Sequence, residues 1–152
     1  MKKLTERLLG ATKKELCKTE LVYRSRGPAS DDELSSFEDK HGVQFPADLR
    51  YWLLNAGFGE FRDEILIDPC WFDVVEEGDA KGHFVFAQDG LGNFYSFPVG
   101  SDSIYMLSRR TPEWAEVAIS FRQFLEDLEQ RDFEVCNWAM GLDLQPCARP
   151  EN

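Results

Sequence analysis

The sequence predicts an α+β fold in which a mostly antiparallel sheet packs against several helices. Amphipathic helical segments occupy the first third of the chain, short apolar β segments follow, and a capped amphipathic helix comes after them. Helices that are segregated from a run of strands are typical of an α+β domain with an antiparallel sheet. At 152 residues, the chain is expected to form a single domain over 1–152.

The first helix is predicted over residues 5–18, because Leu4, Leu8, Ala11 and Glu15 fall on one stripe at helical spacing. A loop is expected over residues 22–28, where serine, glycine and proline interrupt any periodic pattern. These 28 residues form the N-terminal part of the expected domain.

The second helix is predicted to begin at Asp31. Ser30 and Glu33 have the spacing of a capping box, in which each side chain bonds to the other residue's backbone N–H. The helix is expected to bury Leu34 and Phe37. It ends at Gly42, because glycine readily adopts the left-handed conformation at a helix C-terminus.

A third helix is predicted after Pro46, since proline suits the first turn of a helix. Its apolar stripe includes Trp52 and Leu53, and its exit contains Gly57 and Gly59.

The β segments come next, and one pair of them forms a predicted hairpin. Four short apolar runs are expected as strands, over residues 65–67, 83–87, 94–99 and 103–107. Their imperfect alternation predicts a sheet with one face packed by helices and the other partly exposed.

The hairpin spans residues 86–99, and its tip is Asp89-Gly90-Leu91-Gly92-Asn93. Gly90 and Gly92 are expected at positions with positive φ. A phosphate-binding loop is disfavoured, because a strand-like segment follows where such a loop needs a helix.

Near the end, Ser120 and Gln123 form a second capping box. It opens a helix that buries four apolar side chains, Phe121, Phe124, Leu125 and Leu128. Residues 132–144 allow either a helix or a strand, and the tail after Pro146 is expected to be frayed.

Charge is distributed unevenly along the chain, which carries a net charge of −11. Residues 1–28 have a net charge of +5, whereas residues 60–79 hold eight acidic residues against Arg62 alone. Such an acidic field repels nucleic acid and favours a basic partner. A solvated loop that keeps the protein soluble is the alternative interpretation of this segment.

Groups that support catalysis or metal binding are not arranged in recognisable patterns. There is no GxSxG turn to present a nucleophile, no CxxC pair and no histidine spacing suited to zinc. We therefore predict no enzymatic activity, no catalytic residues, no metal site and no cofactor.

The predicted compartment is the cytoplasm. The chain contains no run of 18 apolar residues, and Lys13, Lys14 and Glu15 interrupt the apolar N-terminal segment. We expect no contact with a membrane and no secretory leader. The four cysteines are accordingly predicted to be free thiols that form no disulfide.

Trp71 and Phe72 lie next to each other inside the acidic segment. Two large aromatic side chains usually pack in a core, and burial of at least one is expected. An exposed one would be a candidate anchor for a protein partner, surrounded by acidic residues.

Three blocks of sequence together resemble the SUKH superfamily. They are ASDDELSSFEDKHGVQFPADLRYWLLNAGFGE at residues 29–60, FAQDGLGNFYSF at 86–97 and VAISFRQFLEDL at 117–128. The resemblance covers about residues 29–128. The superfamily includes bacterial immunity proteins of polymorphic toxin systems and fungal cell-wall synthesis regulators. The positions that match the family pattern are interpreted as fold-determining: Trp52, Leu53, Gly57, Gly59, Asp89, Gly90, Gly92 and Asn93.

The resemblance implies a non-catalytic protein that binds and blocks a cognate toxin domain, often a nuclease or deaminase. A regulatory or scaffolding module with an endogenous partner is the alternative, and an uncharacterised enzyme ranks last. The expected partner is a basic toxin domain, with no nucleic acid involved. The residues predicted to contact it are Glu60, Asp63, Glu64, Trp71, Phe72, Asp73, Glu76 and Glu77.

Overall fold

Helices and strands occur in separate groups along residues 1–150, the part of the chain that the computed structural model describes. The α-helices in this range are α1 (Lys2–Gly10), α2 (Asp31–His41), α3 (Ala47–Asn55), α4 (Phe121–Gln130) and α5 (Val135–Met140). None of them has the length and apolar composition required to cross a membrane. A short 3₁₀ helix covers Pro69–Trp71.

The strands between these helices confirm the predicted α+β class. In chain order they are β1 (Thr12–Glu15), β2 (Lys18–Leu21), β3 (Tyr23–Ser25), β4 (Gly59–Phe61), β5 (Ile65–Ile67), β6 (Asp73–Val74), β7 (His83–Asp89), β8 (Phe94–Pro98), β9 (Ile104–Leu107), β10 (Glu113–Ala118) and β11 (Gln145–Pro146). β1 and β2 form a separate two-stranded ribbon.

The remaining strands form one antiparallel sheet. Its order is β11-β10-β9-β8-β7-β5-β4-β3, and β6 pairs with β7. β7 and β8 make the predicted hairpin, paired from His83 opposite Pro98 to Gln88 opposite Phe94, with a shift in register between Val85 and Ala87. The hairpin therefore lies in the middle of the sheet. β5 is hydrogen-bonded to the edge of β7 that faces away from β8.

The two faces of the sheet have different environments, as the imperfect alternation predicted. The inner face carries large apolar side chains such as Phe61, Phe86 and Phe97, which share one core with the buried side chains of the helices. The outer face is more accessible, although His83, Val85 and Ser96 on the central hairpin are buried there. One row of paired residues crosses it, namely Arg24, Glu60, Leu66, Gln88, Phe94, Leu107, Trp114 and Gln145.

The capping signals in the sequence determine where two helices begin. Ser30 Oγ accepts a hydrogen bond of 3.0 Å from Glu33 N at the start of α2. Ser120 Oγ accepts one of 3.1 Å from Gln123 N at the start of α4. α2 ends at Gly42, which has a φ of +66°. These three boundaries agree with the prediction.

The first helix is shorter than predicted. α1 ends at Gly10, and residues 12–21 form the ribbon of β1 and β2. Leu4 and Leu8 are buried, but Glu15, which the helical stripe required to face inward, is exposed. A helix continued through Glu15 would have no apolar face to bury, and such a face supplies most of a helix's stability in a protein.

Several short strands were not predicted. β3 lies in the expected loop over residues 22–28, where Tyr23 is buried and pairs with Phe61 of β4. β4 and β10 also went unpredicted. The three-residue strands β3 and β4 contain too few positions to show alternation, and their conformation depends on the neighbouring strand. β10 is longer, but its buried positions, Ala115 and Ala118, do not alternate.

Cys147 and Ala148 are held in place, contrary to the expectation that the tail after Pro146 is frayed; residues 151–152 of that tail lie outside the described residues. Cys147 N donates to Pro112 O at 2.7 Å. Ala148 N donates to Asp79 Oδ2 at 2.6 Å, and Asp79 N donates to Ala148 O at 2.8 Å. The ambiguous stretch over residues 132–144 contains α5.

Candidate functional site

Asp89 organises the turn between β7 and β8. Its side chain is buried, and Oδ1 accepts hydrogen bonds from Leu91 N at 2.9 Å and Asn93 N at 3.0 Å. Oδ2 accepts from Asn93 Nδ2 at 3.1 Å and from the Tyr95 hydroxyl at 2.8 Å. Burial, reinforced by the Asp89 carboxylate, raises the pKa of Tyr95 well above its usual value. Both oxygens of the Asp89 carboxylate are therefore used in hydrogen bonds that hold the turn.

The two glycines of this turn are required for different reasons. Gly92 has a φ of +88°, and a Cβ there would lie 2.5 Å from Cδ of Arg109. Gly90 does not have the positive φ that the sequence predicted. Its constraint is space, because a Cβ would lie 3.0 Å from Asp63 O and 3.3 Å from Cys136 Sγ.

The other family-pattern positions lie at the end of α3. Trp52 and Leu53 are buried in the core. Gly57 lies directly against the backbone of Gly27, and Gly59 against the backbone of β3, so a Cβ at either position would overlap backbone atoms. These four positions hold the helix exit against the edge of the sheet.

An acidic pocket opens beside the β7–β8 turn, with a volume of about 180 Å³. It is lined by Glu60, Asp63, Glu64, Ile65, Leu66, Trp71, Gln88, Asp89 and Gly90. The structure thus brings four of the predicted partner-binding residues together, and it adds Leu66 and Gln88 from the outer face of the sheet.

The charges around the acidic pocket are partly balanced. Arg24 Nη2 lies 2.9 Å from Glu60 Oε1 and 2.9 Å from Asp63 Oδ1. The Asp63 side chain is 96% exposed, so this ion pair lies at the rim. Glu64 Oε2 accepts a hydrogen bond of 2.9 Å from Cys136 N near the start of α5. Glu64 therefore joins the pocket to the last helix.

Cys136 is not suited to act as a nucleophile. Burial, followed by its neighbour Glu64, raises the pKa of the Cys136 thiol to about 11. A thiol with that pKa stays protonated at neutral pH, and the thiolate is the reactive form of cysteine.

Trp71 and Phe72 have separate roles. Trp71 lines the acidic pocket and packs edge-on against Phe94, with ring centroids 5.9 Å apart. Phe72 packs among core aromatic rings, 5.1 Å from Phe37 and 5.0 Å from Phe84 between centroids. Both side chains are half-buried. Phe72 therefore contributes to the fold, and Trp71 is the aromatic residue that a partner could reach.

The remaining predicted contact residues lie on β6 and in the loop after it. Asp73, Glu76 and Glu77 are exposed and form no ion pair within residues 1–150. Two other acidic residues of the segment serve the structure. Asp68 caps the 3₁₀ helix by accepting a hydrogen bond of 2.8 Å from Cys70 N, and Asp79 binds the C-terminal tail.

Sequence reasoning missed the arginines that pair with this acidic segment. Arg24 binds Glu60 and Asp63, and Arg26 pairs with Asp68. Both arginines were placed in a loop. The sequence offered one signal for this arrangement, the two-residue spacing of Arg24 and Arg26 within the basic N-terminal part. Side chains two apart on a strand point to the same face.

Comparison with known proteins identifies one related family. The model of the SMI1 / KNR4 family (SUKH-1) matches residues 28–127, about two thirds of the chain. No curated protein and no solved structure matches the chain. The matched range includes α2, α3, the hairpin of β7 and β8, and most of α4, but excludes the ribbon of β1 and β2.

Proposed function

We propose that this chain, which belongs to the SMI1/KNR4 family (SUKH-1), is a non-catalytic protein-binding domain that neutralises a cognate bacterial toxin. The toxin domain would be basic, of the nuclease or deaminase class, and bound in the cytoplasm. The observation that carries the proposal is the acidic pocket, which is lined by Glu60, Asp63 and Glu64 together with Trp71.

The dimensions of the acidic pocket favour a protein side chain as its occupant. Small-molecule sites usually have volumes of roughly 300–1,000 Å³. At about 180 Å³, the pocket suits a single arginine or lysine side chain of a partner. Its carboxylates would pair with the cation, and the indole of Trp71 would contact the aliphatic stem.

The exposed acidic residues outside the pocket support the same partner chemistry. Asp73, Glu76 and Glu77 extend the negative surface along β6 and its following loop. A nuclease or deaminase is positively charged where it holds nucleic acid, so an acidic inhibitor can cover that surface. Charge complementarity of this kind acts mainly on the association rate, and salt screens it.

The experiment measures binding kinetics between this chain and the protein encoded by the adjoining gene, over a series of salt concentrations. The test variant neutralises exposed acidic residues by Asp63→Asn, Asp73→Asn, Glu76→Gln and Glu77→Gln. A control variant with the same net charge carries Glu6→Gln, Asp39→Asn, Asp102→Asn and Asp143→Asn, all at exposed positions. Glu64 is kept, because its carboxylate binds α5.

We expect the association rate to fall steeply with salt, and to fall further in the test variant than in the control. Trp71→Ala should raise the dissociation rate. Equal, salt-independent rates for the two variants would place the interface elsewhere on the chain. If the adjoining gene encodes no toxic protein, or its product does not bind, the immunity function is wrong. The regulatory module would then be the better hypothesis.

A further inference from the structure

The ribbon of β1 and β2 ends in an unusual two-residue turn. Glu15 pairs with Lys18, so Leu16 and Cys17 form the whole connection, with φ values of +46° and +72°. Turns of this kind favour asparagine and glycine, because positive φ is strained for a bulky side chain. Leu16 is nevertheless 98% exposed at the tip. The sequence therefore places an apolar side chain in water at a position where local structure disfavours it.

The ribbon is joined by an ion pair to Arg62, the residue that precedes Asp63 of the acidic pocket. Glu15 Oε2 lies 2.6 Å from Arg62 Nη2, and Arg62 N donates to Val22 O at 2.9 Å. Leu16 directly follows Glu15, and Asp63 directly follows Arg62. Leu16 and the pocket residue Asp63 are thus each one residue away from the same ion pair.

The same strand of the ribbon, β1, makes a second anchoring contact. Lys13 Nζ lies 2.8 Å from Asp132 Oδ2. With contacts at Arg62 and Asp132, the ribbon is attached at two points, so its tip is held before any partner arrives. Such preorganisation lowers the entropic cost of binding.

The charges of the ribbon largely cancel. In the register of the two strands, Lys13 lies opposite Glu20 and Glu15 lies opposite Lys18. The net charge over residues 12–21 is +1. A nearly neutral arm with an exposed leucine is suited to an apolar contact, whereas the neighbouring pocket is suited to a cation.

We propose that Leu16 is a specificity anchor that inserts into an apolar recess beside the basic surface of the partner protein. This inference rests on the proposed function, since it assigns the ribbon and the acidic pocket to one interface. The ribbon lies outside residues 28–127, the range shared with the family. A contact built there would let this chain select its own partner on a common scaffold.

The test compares Leu16→Asn with Leu16→Met in binding to the protein encoded by the adjoining gene. Asparagine tolerates positive φ, so the variant should fold with an unchanged or higher midpoint temperature. We expect its dissociation rate to rise about tenfold or more, because a buried leucine is lost from the interface. Leu16→Met, which keeps an apolar tip, should stay within about threefold of the wild type. Met140→Gln, at another exposed apolar position on α5, should change nothing.

The outcomes separate the two proposals. If the wild-type chain does not bind, the proposed function fails, and the role of Leu16 fails with it. If the wild type binds and Leu16→Asn binds equally well, only the inference about Leu16 is wrong. Sedimentation of the chain alone gives a third outcome. A wild-type dimer that Leu16→Asn converts to a monomer would show that the tip covers a second copy of this chain instead.

Discussion

The hydroxyl of Tyr95 donates a hydrogen bond of 2.8 Å to Asp89 Oδ2, so the carboxylate that shapes the hairpin turn is also tied to the strand after it. Asp89→Ala removes the acceptor for Tyr95 and for the backbone N–H groups of Leu91 and Asn93. Buried donors left without acceptors cost about 1–3 kcal/mol each. We expect the free energy of unfolding to fall by about 3 kcal/mol in urea titrations. Leu91→Ala, at the exposed tip, is the control, and an equal loss there would contradict the assignment.

Alkaline pH should destabilise the fold through two buried tyrosines. Burial raises the pKa of Tyr23 and of Tyr95 above the ordinary value of 10.0. The folded state therefore holds these two protons more tightly than the unfolded state does. Because the unfolded chain ionises first, stability is fully present below about pH 10 and is lost as pH rises further.

Midpoint temperatures measured between pH 8 and pH 11 test this alkaline effect. The wild type should lose stability above about pH 10, and Tyr95→Phe should lose less over the same interval. The Phe variant removes the ionisable group and keeps the ring packed against Phe124. Parallel curves for the two proteins would show that Tyr95 does not contribute to the pH dependence.

The predictable parts of the fold are those with local signals. α2 and α4 begin at serine caps, and the central hairpin has two apolar runs around a glycine-containing tip. The ribbon of β1 and β2 carries no such signal, because its turn residues, Leu16 and Cys17, are poor formers of a tight turn. The helical spacing of Leu4, Leu8 and Ala11 was extended into this ribbon only because Glu15 falls by coincidence on the same stripe. The short strands β3 and β4 exist because they pair with each other at the sheet edge.

The sequence predicted which residues form the candidate site, but not how they contact one another. The acidic segment supplied Glu60, Asp63 and Glu64 from sequence, but the balancing contact from Arg24 depends on the pairing of β3 with β4. Adjacent aromatic residues offered no basis for separating Trp71 from Phe72. The 3₁₀ helix ends at Trp71, and Phe72 then enters the aromatic core.

Valine substitutions should separate the two glycines of the β7–β8 turn. Gly92→Val meets both a positive φ and the Arg109 side chain, so it should lower the free energy of unfolding by more than about 1 kcal/mol. Gly90→Val needs only a small displacement of neighbouring atoms and should cost less. Urea titrations of both variants measure the difference. A larger loss at Gly90 would contradict the assigned conformations.

The four cysteines should react with iodoacetamide in a defined order at pH 8. All four are free thiols, with Cys17 and Cys70 exposed, Cys136 half-buried and Cys147 buried. Burial raises the pKa of Cys136 and of Cys147 and leaves little thiolate on either. Mass spectrometry should therefore find Cys17 and Cys70 modified first, and all four modified after unfolding. A disulfide in protein purified under protection from air would contradict this prediction.

Replacing Arg24 should strengthen the attraction of a basic partner. Arg24 contacts Glu60 and Asp63 at the rim of the acidic pocket, so Arg24→Gln leaves both carboxylates without that cation. Exposed ion pairs of this kind contribute only about 0–1 kcal/mol, and the fold should tolerate the change. We expect the association rate with the protein encoded by the adjoining gene to rise several-fold at low salt, and to converge with the wild type at high salt. Arg122→Gln removes an equal charge from α4, where Arg122 pairs with Glu126, and should have a smaller effect. Equal increases in the two variants would mean that net charge alone steers the partner, and that the acidic pocket has no special part in the encounter.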